Sequence, residues 1–149
     1  MFNEETTDNN FGVTMTDSLG SSRLSSLWQD SVADTMSEAE CLVYRSNLLG
    51  SDMRVTNFGG GNTSSKIIQT DPLTGQQVEV LWVKGSGGDL GTMNAGGFST
   101  LYMEKLNGLK GIYRGPANED EMVSYLPHCT FNINPRAASI DTPLHAYVP

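Results

Sequence analysis

Apolar positions recur at helical spacing in the first third of the chain and at every second residue near its centre. Leu24, Leu27, Trp28 and Val32 fall three or four apart from Arg23 onward, which predicts a helix there. Ser37-Glu38-Ala39-Glu40 has the form of a capping box, opening a second helix that buries Cys41, Tyr44, Leu48 and Leu49. Gly50 is expected to close that helix as a left-handed cap. A strand over Arg54–Phe58 should follow. Further on, Val78, Val80 and Trp82 alternate with Glu79, Leu81 and Val83, predicting a strand over Val78–Lys84. The β-branched stretch ending at Thr70 is its partner, joined through the turn Asp71-Pro72-Leu73-Thr74-Gly75.

Two later segments are read with less contrast. Within Gly91–Lys110, Gly96, Asn107 and Gly108 suggest strands and turns, while Leu101–Leu109 also fits a helix. Asn118-Glu119-Asp120-Glu121 predicts a capped helix with Met122, Val123 and Leu126 inward, ended by Pro127. Its three acids complement the helix dipole, a solvated helix start rather than catalysis. Helices mixed with a central hairpin predict an α/β (α+β) layered sheet, without internal repeats.

Composition narrows the function classes. A chain of 149 residues is long enough for one domain with a real core. The net charge is −8, unevenly placed: residues 1–40 hold eight of the 17 acids and one of the nine bases, Arg23, leaving nine acids and eight bases in the rest. An acidic leader on a neutral body argues against nucleic-acid binding, which wants a basic patch. No apolar run approaches a membrane span, and Met1-Phe2-Asn3-Glu4-Glu5 lacks the marks of a signal peptide, so the expected location is cytoplasmic. Residues 1–22 read as a flexible acidic leader and 23–149 as the folded portion. Cys41 and Cys129 show no CxxC spacing and read as reduced packing residues.

The candidate chemistry lies in three short elements. Asn57-Phe58-Gly59-Gly60-Gly61-Asn62-Thr63-Ser64-Ser65-Lys66 is a glycine loop entering a strand, rich in amide and hydroxyl groups. Such a loop makes a concavity of N–H groups suited to a phosphate. It is not a Walker loop, because Lys66 follows Ser65, and a strand rather than a helix follows it, against the dinucleotide fingerprint. A solvent-facing turn is the alternative. The second loop, Lys84-Gly85-Ser86-Gly87-Gly88-Asp89-Leu90-Gly91, leaves the predicted hairpin at the end where the first enters. Two polar glycine loops brought to one sheet edge are a stronger anion-site signal than either alone. Lys66 and Lys84 either add charge to that site or are ordinary exposed lysines. The third element, Pro135-Arg136-Ala137-Ala138-Ser139-Ile140-Asp141-Thr142-Pro143-Leu144-His145, combines an arginine, a serine, a carboxylate and an imidazole. Asp141 before Thr142-Pro143 equally reads as a helix N-cap with proline in the first turn. Arg136 is either a phosphate contact or part of a structural ion pair.

Taken in order, these elements resemble the class II aldolase and adducin-head family over roughly Glu40 to Pro149. Within it the likeness is greatest to the aldolase part of bacterial bifunctional rhamnulose-1-phosphate aldolase/alcohol dehydrogenases. The resemblance implies a mainly antiparallel sheet flanked by helices, in a homotetramer. It also implies cleavage of L-rhamnulose 1-phosphate to dihydroxyacetone phosphate and L-lactaldehyde, assisted by Zn2+ as Lewis acid. Asp141 falls at the family's acid/base carboxylate, commonly a glutamate. Gly61, Asn62, Ser86, Gly87 and Ser139 fall in the phosphate and substrate pocket. The family's His-x-His metal segment is absent: the only histidines are His128 and His145, and neither is assigned as a ligand. The expectation is a fragment truncated at its C-terminal end before the metal ligands, inactive alone, with NAD belonging only to an implied downstream short-chain dehydrogenase. The alternatives are a non-catalytic, adducin-head-like assembly module, or another sugar-phosphate aldolase or epimerase of the same family.

Overall fold

The computed structural model describes residues 25–132 and 136–148. The expected leader, with Arg23 and Leu24, lies outside them.

At the centre is a three-stranded antiparallel sheet in the order β1 (Ser64–Thr70), β2 (Gln77–Lys84), β3 (Phe98–Tyr102). The predicted hairpin joins β1 to β2, with Ser64 opposite Val83 and Thr70 opposite Gln77. Its turn is built on Asp71. One carboxylate oxygen accepts the Leu73 and Thr74 amides, each at 2.8 Å, and the other accepts the Tyr102 hydroxyl at 2.7 Å. Gly75 closes the turn at φ 72°, a conformation L side chains rarely adopt.

Because residues alternate across a strand, the register divides the sheet into two faces, and both are covered. Trp82 and Phe98 on one face pack with Leu42, Val43, Leu90 and Met93. Leu81, Val83 and Leu101 on the other pack with Met103, Leu106, Leu126, Cys129 and Ala146. The first cover is α2 (Glu38–Ser51) with the 3-10 turn Leu90–Thr92. Against the second face lie α3 (Met103–Gly108) and α5 (Thr142–Tyr147), with α4 (Glu119–Tyr125) beyond. This is the predicted class: a mainly antiparallel sheet flanked by helices. Burial on both sides explains why β2 is apolar at consecutive positions.

Several local expectations are corrected. The capping box at Ser37 forms, with the Glu40 carboxylate accepting the Ser37 amide at 2.8 Å. The buried face of α2, however, is Leu42, Ser46 and Gly50, while Cys41, Tyr44 and Leu48 are half-buried and Leu49 is exposed. Gly50 is not a left-handed cap. It sits inside α2, where a Cβ would come within 2.0 Å of the Gly91 amide nitrogen. The glycine pair Gly50 and Gly91 lets the helix backbone touch the loop after β2.

Arg54–Phe58 is a series of turns, not a strand. Asp52 accepts both the Arg54 amide, at 3.0 Å, and its guanidinium, which curls the backbone locally instead of extending it. The helix expected from Arg23 is reduced, among the described residues, to a single turn, α1 (Asp30–Ala33). Leu27 is exposed, and Trp28 stacks on Tyr44 with ring centroids 5.2 Å apart. In the disputed Gly91–Lys110 segment both readings hold in part, since β3 runs directly into α3. Asn118 makes no side-chain cap to α4, and Val123 is 38% exposed; Leu126 is the buried position there. Pro127 lies in a 3-10 turn, Leu126–Cys129, that continues α4.

Candidate active site

The site is assembled where β1 begins and β2 ends. Within α2, Ser46 shares a buried 2.7 Å hydrogen bond with Thr63, and the Thr63 carbonyl accepts the Lys84 amide at 3.0 Å. These bonds fix the backbone directly after Asn62. The glycine loops then meet directly, because the Gly59 amide donates to Asp89 Oδ1 at 3.1 Å. Gly61 adopts φ 77°, and a Cβ there would lie 2.8 Å from Leu90 Cδ2. Glycine is therefore required twice over, by conformation and by space.

The third element docks on the second loop as a short strand-like bridge. Gly85 pairs with Ala138, the Ser86 amide donates to the Ala137 carbonyl at 2.9 Å, and Ser99 Oγ donates to the Arg136 carbonyl at 2.8 Å. Arg136 lies along the loop with Nη1 3.4 Å from the Ser86 carbonyl, so it braces the loop backbone. Ser86, Gly87 and Gly88 remain exposed, with Gly87 and Gly88 at φ 74° and 83°.

This docking brings Ser139 and Asp141 to Asn62. Asn62 Nδ2 donates to Ser139 Oγ at 3.1 Å and to Asp141 Oδ2 at 3.3 Å, and Ser139 Oγ lies 3.3 Å from the same carboxylate oxygen. A carboxylate only accepts, so the amide nitrogen, not its oxygen, must face Asp141. The Asn62 Oδ1 atom is buried with no hydrogen-bond partner among the described residues. A buried acceptor left open beside a carboxylate suits a donor supplied by a ligand or a water.

Asp141 holds the N-cap position of α5, yet its side chain makes no cap hydrogen bond. The capping alternative thus fails at the side chain, whose carboxylate is turned to Asn62 and Ser139. The sequence-predicted residues Gly61, Asn62, Ser86, Gly87, Ser139 and Asp141 accordingly lie on three segments that contact one another. Lys84 departs from the default of an exposed lysine: it is only 6% exposed and its Nζ reaches the Gly87 carbonyl at 3.4 Å. A lysine buried at the root of a glycine loop puts positive charge beneath it. Lys66 points elsewhere, to the Val148 carbonyl. Asp89, which ties the two loops together and also accepts Thr92 Oγ1 at 3.3 Å, was missed in the sequence. Its place directly after Gly87-Gly88 was the available signal.

The described residues do not fit a zinc ion. A catalytic zinc takes three protein ligands and an open position, and no group of three His, Cys, Asp or Glu side chains converges among them. His145 Nδ1 is 2.8 Å from Ser64 Oγ, and burial pushes its pKa down against the opposing pull of Asp141. His128 is exposed, with its carbonyl accepting Lys105 Nζ at 3.3 Å. Cys129 is a free thiol whose burial raises its pKa, and Cys41 is free and half-buried, donating to the Ala33 carbonyl at 3.4 Å. Among the described residues no helix is long and apolar enough to cross a membrane.

Comparison with known proteins bears on the fold. The chain superposes on the N-terminal class II aldolase domain of a conserved protein from Thermoplasma acidophilum, with TM-score 0.68 and 34% identity over 85% of this chain. It therefore has the class II aldolase fold. It is also 50% identical, over 110 residues, to the uncharacterized oxidoreductase YuxG of Bacillus subtilis. The chain spans 55% of the Thermoplasma domain and 16% of YuxG. It matches no protein-family model.

Proposed function

We propose that this chain is the substrate-phosphate half of a class II aldolase active site, in a protein that cleaves L-rhamnulose 1-phosphate to dihydroxyacetone phosphate and L-lactaldehyde. The observation that carries the reading is the junction of Asn62, Ser139 and Asp141, assembled beside two exposed glycine loops. The N–H groups of Gly87 and Gly88 and the Ser86 hydroxyl, backed by Lys84, receive the phosphate of the ketose. Asn62 and Ser139 hold the sugar hydroxyls. Asp141 is the base that moves the hydroxyl proton as the carbon–carbon bond breaks. Its bonds from Asn62 and Ser139 keep the carboxylate aimed before substrate arrives, the condition for efficient proton transfer.

Zinc and NAD enter only through the resemblance. Zinc would be held by ligands beyond this chain. NAD belongs to a fused short-chain dehydrogenase, a reading supported by the word oxidoreductase in the name of YuxG and by the small share of that protein matched here. The chain on its own is inferred to bind sugar phosphate without turning it over. The working protein is proposed to be a cytoplasmic homo-oligomer, a tetramer by the same resemblance, with neither nucleic acid nor membrane as partner.

The test is to offer L-rhamnulose, L-fuculose and L-ribulose phosphates, with zinc, to the protein that carries this chain, and to measure dihydroxyacetone phosphate release. Cleavage of the rhamnulose ester is expected. Release from the fuculose ester alone, or only epimerisation of the ribulose ester, rejects the substrate and keeps the family. Inertness toward all three favours the assembly module.

A further inference from the structure

One turn along α5 from Asp141 and two residues along β1 from Asn62, His145 and Ser64 meet in an open cleft of about 500 Å3. Arg45 of α2 and Ser65 and Lys66 of β1 also line it, and none of the pocket residues Gly61, Asn62, Ser86, Gly87 or Ser139 does. Its volume falls in the range of small-molecule sites, about 300–1,000 Å3.

The cleft is rich in donors and holds no carboxylate in its lining. Arg45 Nη2 donates to the Ser64 carbonyl at 2.7 Å, and Lys66 Nζ to the Val148 carbonyl at 2.5 Å. A guanidinium carries five N–H donors and an ammonium three, so each cation keeps donors beyond the one bond to a carbonyl. The ion pairs among the described residues are Arg54 with Asp52 and Arg114 with Glu121, and neither cleft cation takes part in one. In a chain of net charge −8, two cations gathered without an acidic partner mark a place where an anion is favoured.

The ligand class follows from the donor count and the rim. A guanidinium fork and an ammonium, with the Ser64 hydroxyl on the same strand face as Lys66, offer more donors than a carboxylate's two oxygens need, and they suit the three terminal oxygens of a phosphate. Leu144 and Val148 flank the cleft at 68% and 61% exposure, an apolar shelf for an organic group. We propose that this cleft is a second anion site, separate from the glycine loops, that takes a phosphate monoester. Arg45, Lys66 and Ser64 hold the phosphate, and Leu144 and Val148 cover the carbon part. The assignment does not depend on the aldolase reading.

The experiment is a titration of the whole, isotopically labelled chain with phenyl phosphate and with inorganic phosphate, following the amide signals of Ser64, Ser65, Lys66 and His145 by NMR. Saturable shifts at these residues are expected, with phenyl phosphate bound more tightly than inorganic phosphate. Lys66→Gln should weaken binding by about tenfold, the loss of one charge-assisted contact, and raising the salt should weaken it in the parent chain. Ser86→Ala, in the glycine-loop pocket, should leave these shifts unchanged. Arg45→Gln should act as Lys66→Gln does; since Arg45 also braces Ser64, Lys66→Gln decides the matter if that variant misfolds. Absence of saturable shifts at Ser64–Lys66, or binding by Lys66→Gln equal to that of the parent, overturns the proposal.

Discussion

Asn62 and Asp141 lie 79 positions apart in the chain, and the amide of one sits 3.3 Å from the carboxylate of the other. The contact joins the end of the first glycine loop to the start of α5, and it turns Asp141 away from the capping role its position suggests. Asn62→Ala should remove this hold and strand part of the carboxylate's environment. A stability loss of about 1–2 kcal/mol is expected by urea denaturation, from one charge-assisted bond. Binding of dihydroxyacetone phosphate, followed by calorimetry, should weaken at least severalfold. Asn62→Asp should be worse near neutral pH than in mild acid, because two carboxylates in contact cannot both stay ionised.

Gly50 and Gly91 form the closest approach of helix and loop. Gly50→Ala would place a methyl 2.0 Å from the Gly91 nitrogen, with backbone on the receiving side that cannot rotate away. A loss of about 3 kcal/mol or more is expected, the upper end of overpacking costs. The midpoint of urea unfolding measures it. Were Gly50 a helix cap with open space beside it, alanine would be tolerated far better.

Asp71 makes acid stability depend on the hairpin turn. The Tyr102 hydroxyl, then the Thr74 and Leu73 amides, hold its carboxyl down to about 2, from an ordinary 3.8. The unfolded chain takes up a proton near the ordinary value while the folded chain resists it. The stabilisation is therefore complete above the unfolded pKa and is lost as pH falls through the window between the two. Asp52 shares that window, held to about 2 by Arg54. Urea midpoints measured through the window should show a shallower acid loss in Asp71→Asn than in the parent, and Asp52→Asn separates the two contributions.

Ser37 carries the start of α2, accepting the Glu40 amide on its hydroxyl while Glu40 returns the bond. Ser37→Ala should cost about 1 kcal/mol, the usual worth of an N-cap. Because α2 positions Thr63 through Ser46, ligand binding should be weakened less than stability is.

The sequence made the central hairpin and the convergence of its two glycine loops legible, because alternation and turn chemistry are local signals. It also made the capping box legible, since that motif spans only four residues. The inward face of α2 was misread because its contacts are with a loop forty residues away, and two of the three buried positions, Ser46 and Gly50, are not apolar. Arg54–Phe58 failed as a strand because Asp52 satisfies Arg54 locally and offers no extended partner. Lys84 was hidden for a similar reason: its burial is set by β3 and the loop that folds over it, not by its neighbours in sequence. Asp141 showed both its possible uses, and only the docking of the third element on the second loop separates them.

The central claim is that the two glycine loops and the Ser139–Asp141 segment form one phosphate-holding pocket. It is tested most directly by titrating this chain with dihydroxyacetone phosphate while following the amide signals of Asn62, Ser86, Gly87, Ser139 and Asp141 by NMR. The account predicts that all five shift together with one saturation curve, and that Asn62→Ala weakens that curve for all of them. Separate curves for the three segments, or no saturable shift at Ser86 and Gly87, would contradict it.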